Sequence, residues 1–169
     1  MCRIFLNQPD PYHRLVADSQ QGDRQQRLVH QLDELGVDYL LPQGEVHHQG
    51  FTVLGVGYCG VVLAGSWQQH SAAIKVRRSN CQQANLDNEA RLLQRANDLG
   101  IGPQLYCHQG DIIIMQRLTG IPFGRWLKQL DASHIPLLKV LLSRLLWQGF
   151  RLDQAGIDHG ALRCVSEHA

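Results

Sequence analysis

The chain has no excess of charge of either sign: 16 lysines and arginines face 15 aspartates and glutamates, leaving a formal charge of +1. With no long run of one sign, it lacks the electrostatic footprint of a nucleic-acid or membrane-surface binder. No apolar stretch approaches the roughly 20 residues needed to span a bilayer, and no cationic, apolar, small-residue leader opens the chain. The five cysteines, Cys2, Cys59, Cys81, Cys107 and Cys164, are scattered, odd in number and without a CxxC pair. Reduced thiols in a cytoplasmic protein are the expectation. Nine histidines do not make a metal centre: His47-His48 is followed by no ligands at a zinc-like spacing, and Cys107-His108 stands alone. Internal repeats and low-complexity tracts are missing too, which excludes solenoids and repeat arrays.

What is present is enough for one ordinary domain or a small domain with an appendage: 169 residues, 44% of them apolar. Residues 1–22, with Pro9, Pro11 and a Ser-Gln-Gln-Gly stretch, carry no sustained period and read as a short helix or extended arm joined by a loop. From Asp23 the pattern changes, with Leu28, Val29, Leu32 and Leu35 at helical spacing. Asp23 can cap that helix, and Gly36 supplies the permissive residue just past its end. After Pro42, residues 51–54, 61–64 and 72–76 read as three antiparallel strands, with a polar break at 66–71. A helix over 84–99 sets Leu86, Ala90, Leu93 and Ala96 along one face, with Gly100 past its end. Two more strands fit 104–108 and 111–118.

Gly120 and Pro122 mark a connector. A short helix follows over 123–130, then a long one starting near a Ser133 cap, with Pro136 tolerated in its first turn. Between Leu137 and Leu152 the long helix is apolar around much of its circumference, so it is built to be surrounded.

The segment Gly55-Val56-Gly57-Tyr58-Cys59-Gly60 matches GxGxxG. In a dinucleotide-binding fold this motif opens a helix; here Val61-Val62-Leu63-Ala64 follows, a β-branched stretch that suits a strand. The loop is therefore a hairpin, and a dinucleotide-binding oxidoreductase remains only an outside reading. A glycine-rich hairpin lets backbone N–H groups come close to phosphate oxygens, since side chains at Gly55, Gly57 or Gly60 would obstruct the approach. Lys75, in Ala73-Ile74-Lys75, is a point charge on a flexible stem suited to phosphate. Glu89 lies three residues after Leu86 and four before Leu93, on the apolar side of its helix, where an acid wants a partner.

This order of parts resembles the protein-kinase superfamily: G-x-G-x-x-G-x-V over residues 55–62, then Ala73-Ile74-Lys75 at the V-A-I-K position. The resemblance implies an ATP site in which Gly55, Val56, Gly57 and Gly60 cradle phosphates, Lys75 pairs with them and Glu89 orients Lys75. Val62 and Ala73 would sandwich the adenine ring, Met115 would lie at its back, and the backbone of about residues 116–118 would bond the base. The implied fold is α+β: a lead-in arm and helix over 1–36, and a kinase-like lobe over 37–120. That lobe would hold a five-stranded antiparallel sheet and one packed helix, followed over 121–169 by the first helices of a partial second lobe.

The carboxyl end resembles the catalytic loop of the compact atypical RIO-type kinases, where H-G-D-L is expected. Here His159-Gly160-Ala161-Leu162 carries Ala161 in place of the acid, Ser166 stands at the position of the magnesium-binding asparagine, and no D-F-G segment follows before Ala169. His159 is structural in that resemblance, and Asp158 precedes it, at the wrong place for the acid. The expectation is a serine/threonine-kinase-like chain that binds ATP, with most magnesium ligands missing and little or no phosphoryl transfer, or else a truncated kinase. The alternative is an interaction module on the same scaffold, meeting a protein partner or a second copy through the apolar helix over 137–152.

Overall fold

The computed structural model describes residues 4–5 and 22–157. The rest of the arm before residue 22 and the segment with Asp158, His159, Gly160, Ala161 and Ser166 lie outside the described residues. The chain divides into two units, Met1–Gln94 with Gly102–Leu118 and Arg95–Ile101 with Thr119–Ala169.

The first unit is α+β. Helix α1 (Gly22–Glu34) begins with Asp23 in its first turn, where a carboxylate complements the helix dipole. Leu28 and Leu32, one turn apart, are its fully buried residues. It stops at Gly36, whose φ of 76° only glycine adopts without cost and whose N–H donates to the Asp33 carbonyl.

The main sheet has seven strands: β1 (Ile4–Phe5), β2 (Val37–Leu41), β5 (Gly55–Val56), β6 (Gly60–Trp67), β7 (His70–Arg77), β8 (Leu105–Gln109) and β9 (Ile112–Gln116). Their order is β1-β2-β6-β7-β9-β8, with β5 beside β6 and every pair antiparallel. The expected five-stranded sheet is thus too small. Val37–Leu41 pairs along β6, and a register shift between Val37 and Tyr39 interrupts its alternation, so that Val37 and Leu40, three residues apart, are both buried. The expected strand over 51–54 belongs elsewhere: β4 (Phe51–Val53) pairs with β3 (Val46–His48) in a separate hairpin turned by Gln49 and Gly50.

The break expected at 66–71 shrinks to Gln68 and Gln69, since Trp67 pairs with His70. Both glutamines have left-handed backbones, at φ of 47° and 65°, which costs non-glycine residues of order 1 kcal/mol each. Asp38 helps to offset this, its Oδ2 accepting from the Gln69 N–H and the Ser66 hydroxyl, each at 2.8 Å.

Strand alternation gives the sheet two different faces. Leu63, Ile74, Val76, Ile112 and Ile114 point to one and pack under Leu28 and Leu32 of α1. On the other, Ile113 packs against Leu86 and Ala90; Ala90 belongs to helix α2 (Asp87–Asp98). The start of α1 is fastened by charge: Arg24, 7% exposed, donates to the Arg77 carbonyl and lies 3.6 Å from Asp111, while Arg77 makes a forked pair with the same carboxylate.

In the second unit, α3 (Phe123–Leu127) follows Pro122, and a 3-10 turn (Ala132–His134) leads into α4 (Ile135–Gln154) with Pro136 in its first turn. The cap expected at Ser133 for the long helix is not there: α4 starts after His134 with no side-chain cap, and Asp131 caps the 3-10 turn before it. The Asp131 carboxylate accepts from the Ser133 hydroxyl and N–H, and these bonds, with that of His134, hold its pKa below the usual carboxylate range. The far end of α4 is met by Arg95, which donates to the Ala155 carbonyl. No residue of α4 is buried; Leu146 is 75% exposed and Trp147 60%. Among the described residues no helix is long and apolar enough to cross a membrane.

Candidate functional site

The register of three strands brings most of the singled-out residues to one face. Val62 on β6 faces Lys75 on β7, Lys75 faces Ile113 on β9, and Ala73 lies between Ala64 and Met115. Directly paired residues project to the same side of a sheet. Val62, Ala73, Lys75 and Met115 therefore share the α2 side, and Gly55, paired with Val62, joins them. Val56 is the exception. It pairs with Val61, whose side chain belongs to the α1 side, so Val56 can offer this face only its backbone.

Lys75 would be an expensive residue in a strand covered on both sides if it had no partner. Its partner is Glu89: Nζ donates to Oε1 at 2.5 Å, with the two side chains 19% and 37% exposed. Glu89 reaches the sheet because Leu86 and Ala90, both fully buried, turn that side of α2 inward. The helix acid and strand lysine are thus joined by the packing of α2 on Ile113.

The glycine loop abuts the lysine stem at Gly60. Gly57 donates its N–H to the Gly60 carbonyl at 2.8 Å, closing a tight turn over Tyr58 and Cys59. Tyr58 is 66% exposed, and the N–H groups of Tyr58 and Cys59 have no hydrogen-bond partner among the described residues. Gly60 is buried against the lysine stem; a Cβ there would sit 2.5 Å from Lys75 Cε. Glycine at this position leaves room for the lysine's path, a different reason from backbone freedom.

At the far end of the face lies the stretch expected to bond the base. Gln116 already spends its backbone N–H on the Gln104 carbonyl at 2.7 Å, and its side chain accepts from the Gln104 N–H. Leu118, two residues on, is 67% exposed.

The cysteine expectation needs correcting. Cys59 and Cys81 form a disulfide, Cα to Cα 4.7 Å, and Cys107 is the free cysteine among the described residues. Their 22-residue separation matches no motif. The pairing becomes legible only from the hairpin register, which sets Gly60 opposite Arg77 and so Cys59 beside Arg78.

The face gathers groups whose chemistry suits an anion. It has a cation paired with a carboxylate, a neighbouring turn with two unspent N–H groups, and apolar flanks in Val62, Ala73 and Met115. No group of three or more His, Cys, Asp and Glu among the described residues could hold a metal ion. Neither a family model nor a curated protein matches the sequence.

Proposed function

We propose that this face binds ATP, as in a protein-kinase-like lobe of serine/threonine-kinase type, and that the chain carries out little or no phosphoryl transfer. The observation that supports it best is the Lys75–Glu89 pair, with the lysine stem against Gly60, on the face shared by Val62, Ala73 and Met115. In this reading the amides of Tyr58 and Cys59 meet phosphate oxygens, Lys75 pairs with the same phosphates, and the purine lies between Val62 and Ala73 with Met115 behind it. Binding without transfer follows from Ala161, whose methyl group cannot accept or orient a proton where the resemblance expects an acid.

Titration of a fluorescent ATP analogue, with and without magnesium, tests the reading. Wild type should bind, and Lys75→Ala, checked as folded by its thermal melt, should bind 10- to 100-fold more weakly, the range for a lost hydrogen bond to a charged group. Equal binding by the two folded proteins, or none by wild type, refutes it.

The second reading, an interaction module, draws on α4, whose Val140, Leu146, Trp147 and Phe150 are each at least half exposed. Light scattering on the purified chain decides it: a monomer with little hydrophobic-dye binding argues against self-association or partner docking through α4.

A further inference from the structure

The glycine loop carries a covalent tether that phosphate binding does not itself require. Strand β6 continues its ladder past Gly60, with the Arg78 N–H donating to the Cys59 carbonyl at 2.9 Å. The Cys81 N–H then donates to the Arg78 carbonyl at 3.2 Å, a turn that brings Cys81 back against Cys59. The Arg78 guanidinium also reaches the Gly57 carbonyl, at 3.4 Å. A loop with three glycines would otherwise sample many backbone states. Here its tip is held at Cys59 by a bond to the segment leaving β7.

The two sulfurs are not equivalent. Cys59 is half-buried on an exposed loop, whereas Cys81 is only 7% exposed. The Gln83 N–H points at Cys81 Sγ, at 3.4 Å, where it would stabilise a thiolate. An incoming thiolate therefore meets Cys59 first and displaces Cys81, whose departing thiolate the Gln83 N–H can receive. Cys107 does not compete, because burial pushes its thiol pKa up and keeps it protonated.

We propose that Cys59 and Cys81 are a thiol–disulfide exchange site for a dithiol reductant, and that their bond holds the glycine loop in the shape that receives nucleotide phosphates. The inference rests on the nucleotide reading of that loop. The dithiol supplies two electrons and two protons. Its first thiolate attacks Cys59 Sγ, forming a mixed disulfide as the Cys59–Cys81 bond breaks, and Cys81 leaves as a thiolate that takes up a proton. The reductant's second thiolate then attacks its own sulfur in the mixed disulfide. Cys59 is released and protonated, and the reductant ends as its internal disulfide. Reduction frees residues 57–59, whose ordering must then be supplied by the nucleotide, so affinity falls on the order of tenfold.

The test titrates the fluorescent ATP analogue against the full chain oxidised, the full chain treated with dithiothreitol, and oxidised Lys75→Ala. The double variant Cys59→Ser/Cys81→Ser is titrated with and without dithiothreitol. The oxidised chain should bind about tenfold more tightly than the reduced one, while the double variant matches the reduced chain under both conditions. Equal or tighter binding after reduction, with Lys75→Ala still impaired, overturns the redox inference and leaves the nucleotide reading standing. No binding by any form overturns both. Peptide mapping supplies a readout free of any folding defect in the variant. A Cys59–Cys81 cross-linked peptide from the oxidised wild-type chain is expected, and its absence overturns the inference.

Discussion

Gly60→Ala should disable the candidate site while leaving the fold nearly untouched. A Cβ at residue 60 would lie 2.5 Å from Lys75 Cε, 3.0 Å from Lys75 Cγ and 3.2 Å from the Val76 carbonyl oxygen. Carbon atoms attract one another only near roughly 3.5–4.0 Å, so the lysine stem must retreat by about 1 Å. It is the flexible partner and will move, and in moving it draws Nζ away from Glu89, now 2.5 Å distant. The stability change is small on both sides. A partly exposed ion pair contributes roughly 0–1 kcal/mol, and replacing glycine in an extended strand returns roughly 0.4–1 kcal/mol through the unfolded chain. The melting temperature should stay near that of wild type. Affinity for the ATP analogue should drop by 10- to 100-fold, about as far as in Lys75→Ala. In a double-mutant cycle Gly60→Ala/Lys75→Ala should bind no worse than Lys75→Ala alone, since both changes remove one interaction. A folded Gly60→Ala protein with wild-type affinity, or additive losses in the cycle, refutes the reasoning.

Three further substitutions test the packing. Leu32→Ala removes a fully buried side chain where α1 covers the sheet and should cost roughly 3 kcal/mol in urea unfolding; no change would mean that α1 is a dispensable appendage. Asp111→Ala leaves Arg24 and Arg77 facing each other without their shared carboxylate and should cost about 3 kcal/mol, against no measurable loss if the cluster were a surface ornament. Gln69→Gly relieves a left-handed residue in the β6–β7 turn and should raise stability by about 1 kcal/mol, whereas a lower melting temperature would show that Gln69 contributes more than its backbone costs.

Most of the α+β plan was legible because it rests on local signals. Leu28 and Leu32 declared the buried side of α1, Gly36 its end, and the β-branched run after Gly60 distinguished a hairpin from a helix. The Lys75–Glu89 pair could be anticipated from the kinase resemblance, with which the place of Glu89 on the apolar side of its helix, where an acid wants a partner, agreed. What could not be read depends on pairing between distant segments. Val37–Leu41 is too short and too polar at Asp38 to stand out until Val37 meets Trp67 and Leu40 meets Gly65. Phe51–Val53 has a strand composition in either sheet, and only the turn at Gln49 and Gly50 assigns it to the smaller one. Ser133 does not cap the long helix, because a carboxylate two residues upstream captures the serine's own N–H and hydroxyl. Cys59 and Cys81 looked unrelated because cysteine spacing encodes a disulfide only through the register that brings the chains together.

The central claim is that Lys75 lies against the phosphates of a bound nucleotide. An ATP acyl-phosphate probe, which transfers its acyl group to a lysine amine beside the phosphates, tests this most directly. Peptide mapping should find the label on Lys75, suppressed by excess ATP and lost in Gly60→Ala. Label spread over exposed lysines such as Lys128 and Lys139, or label on Lys75 that ATP fails to suppress, would contradict the account.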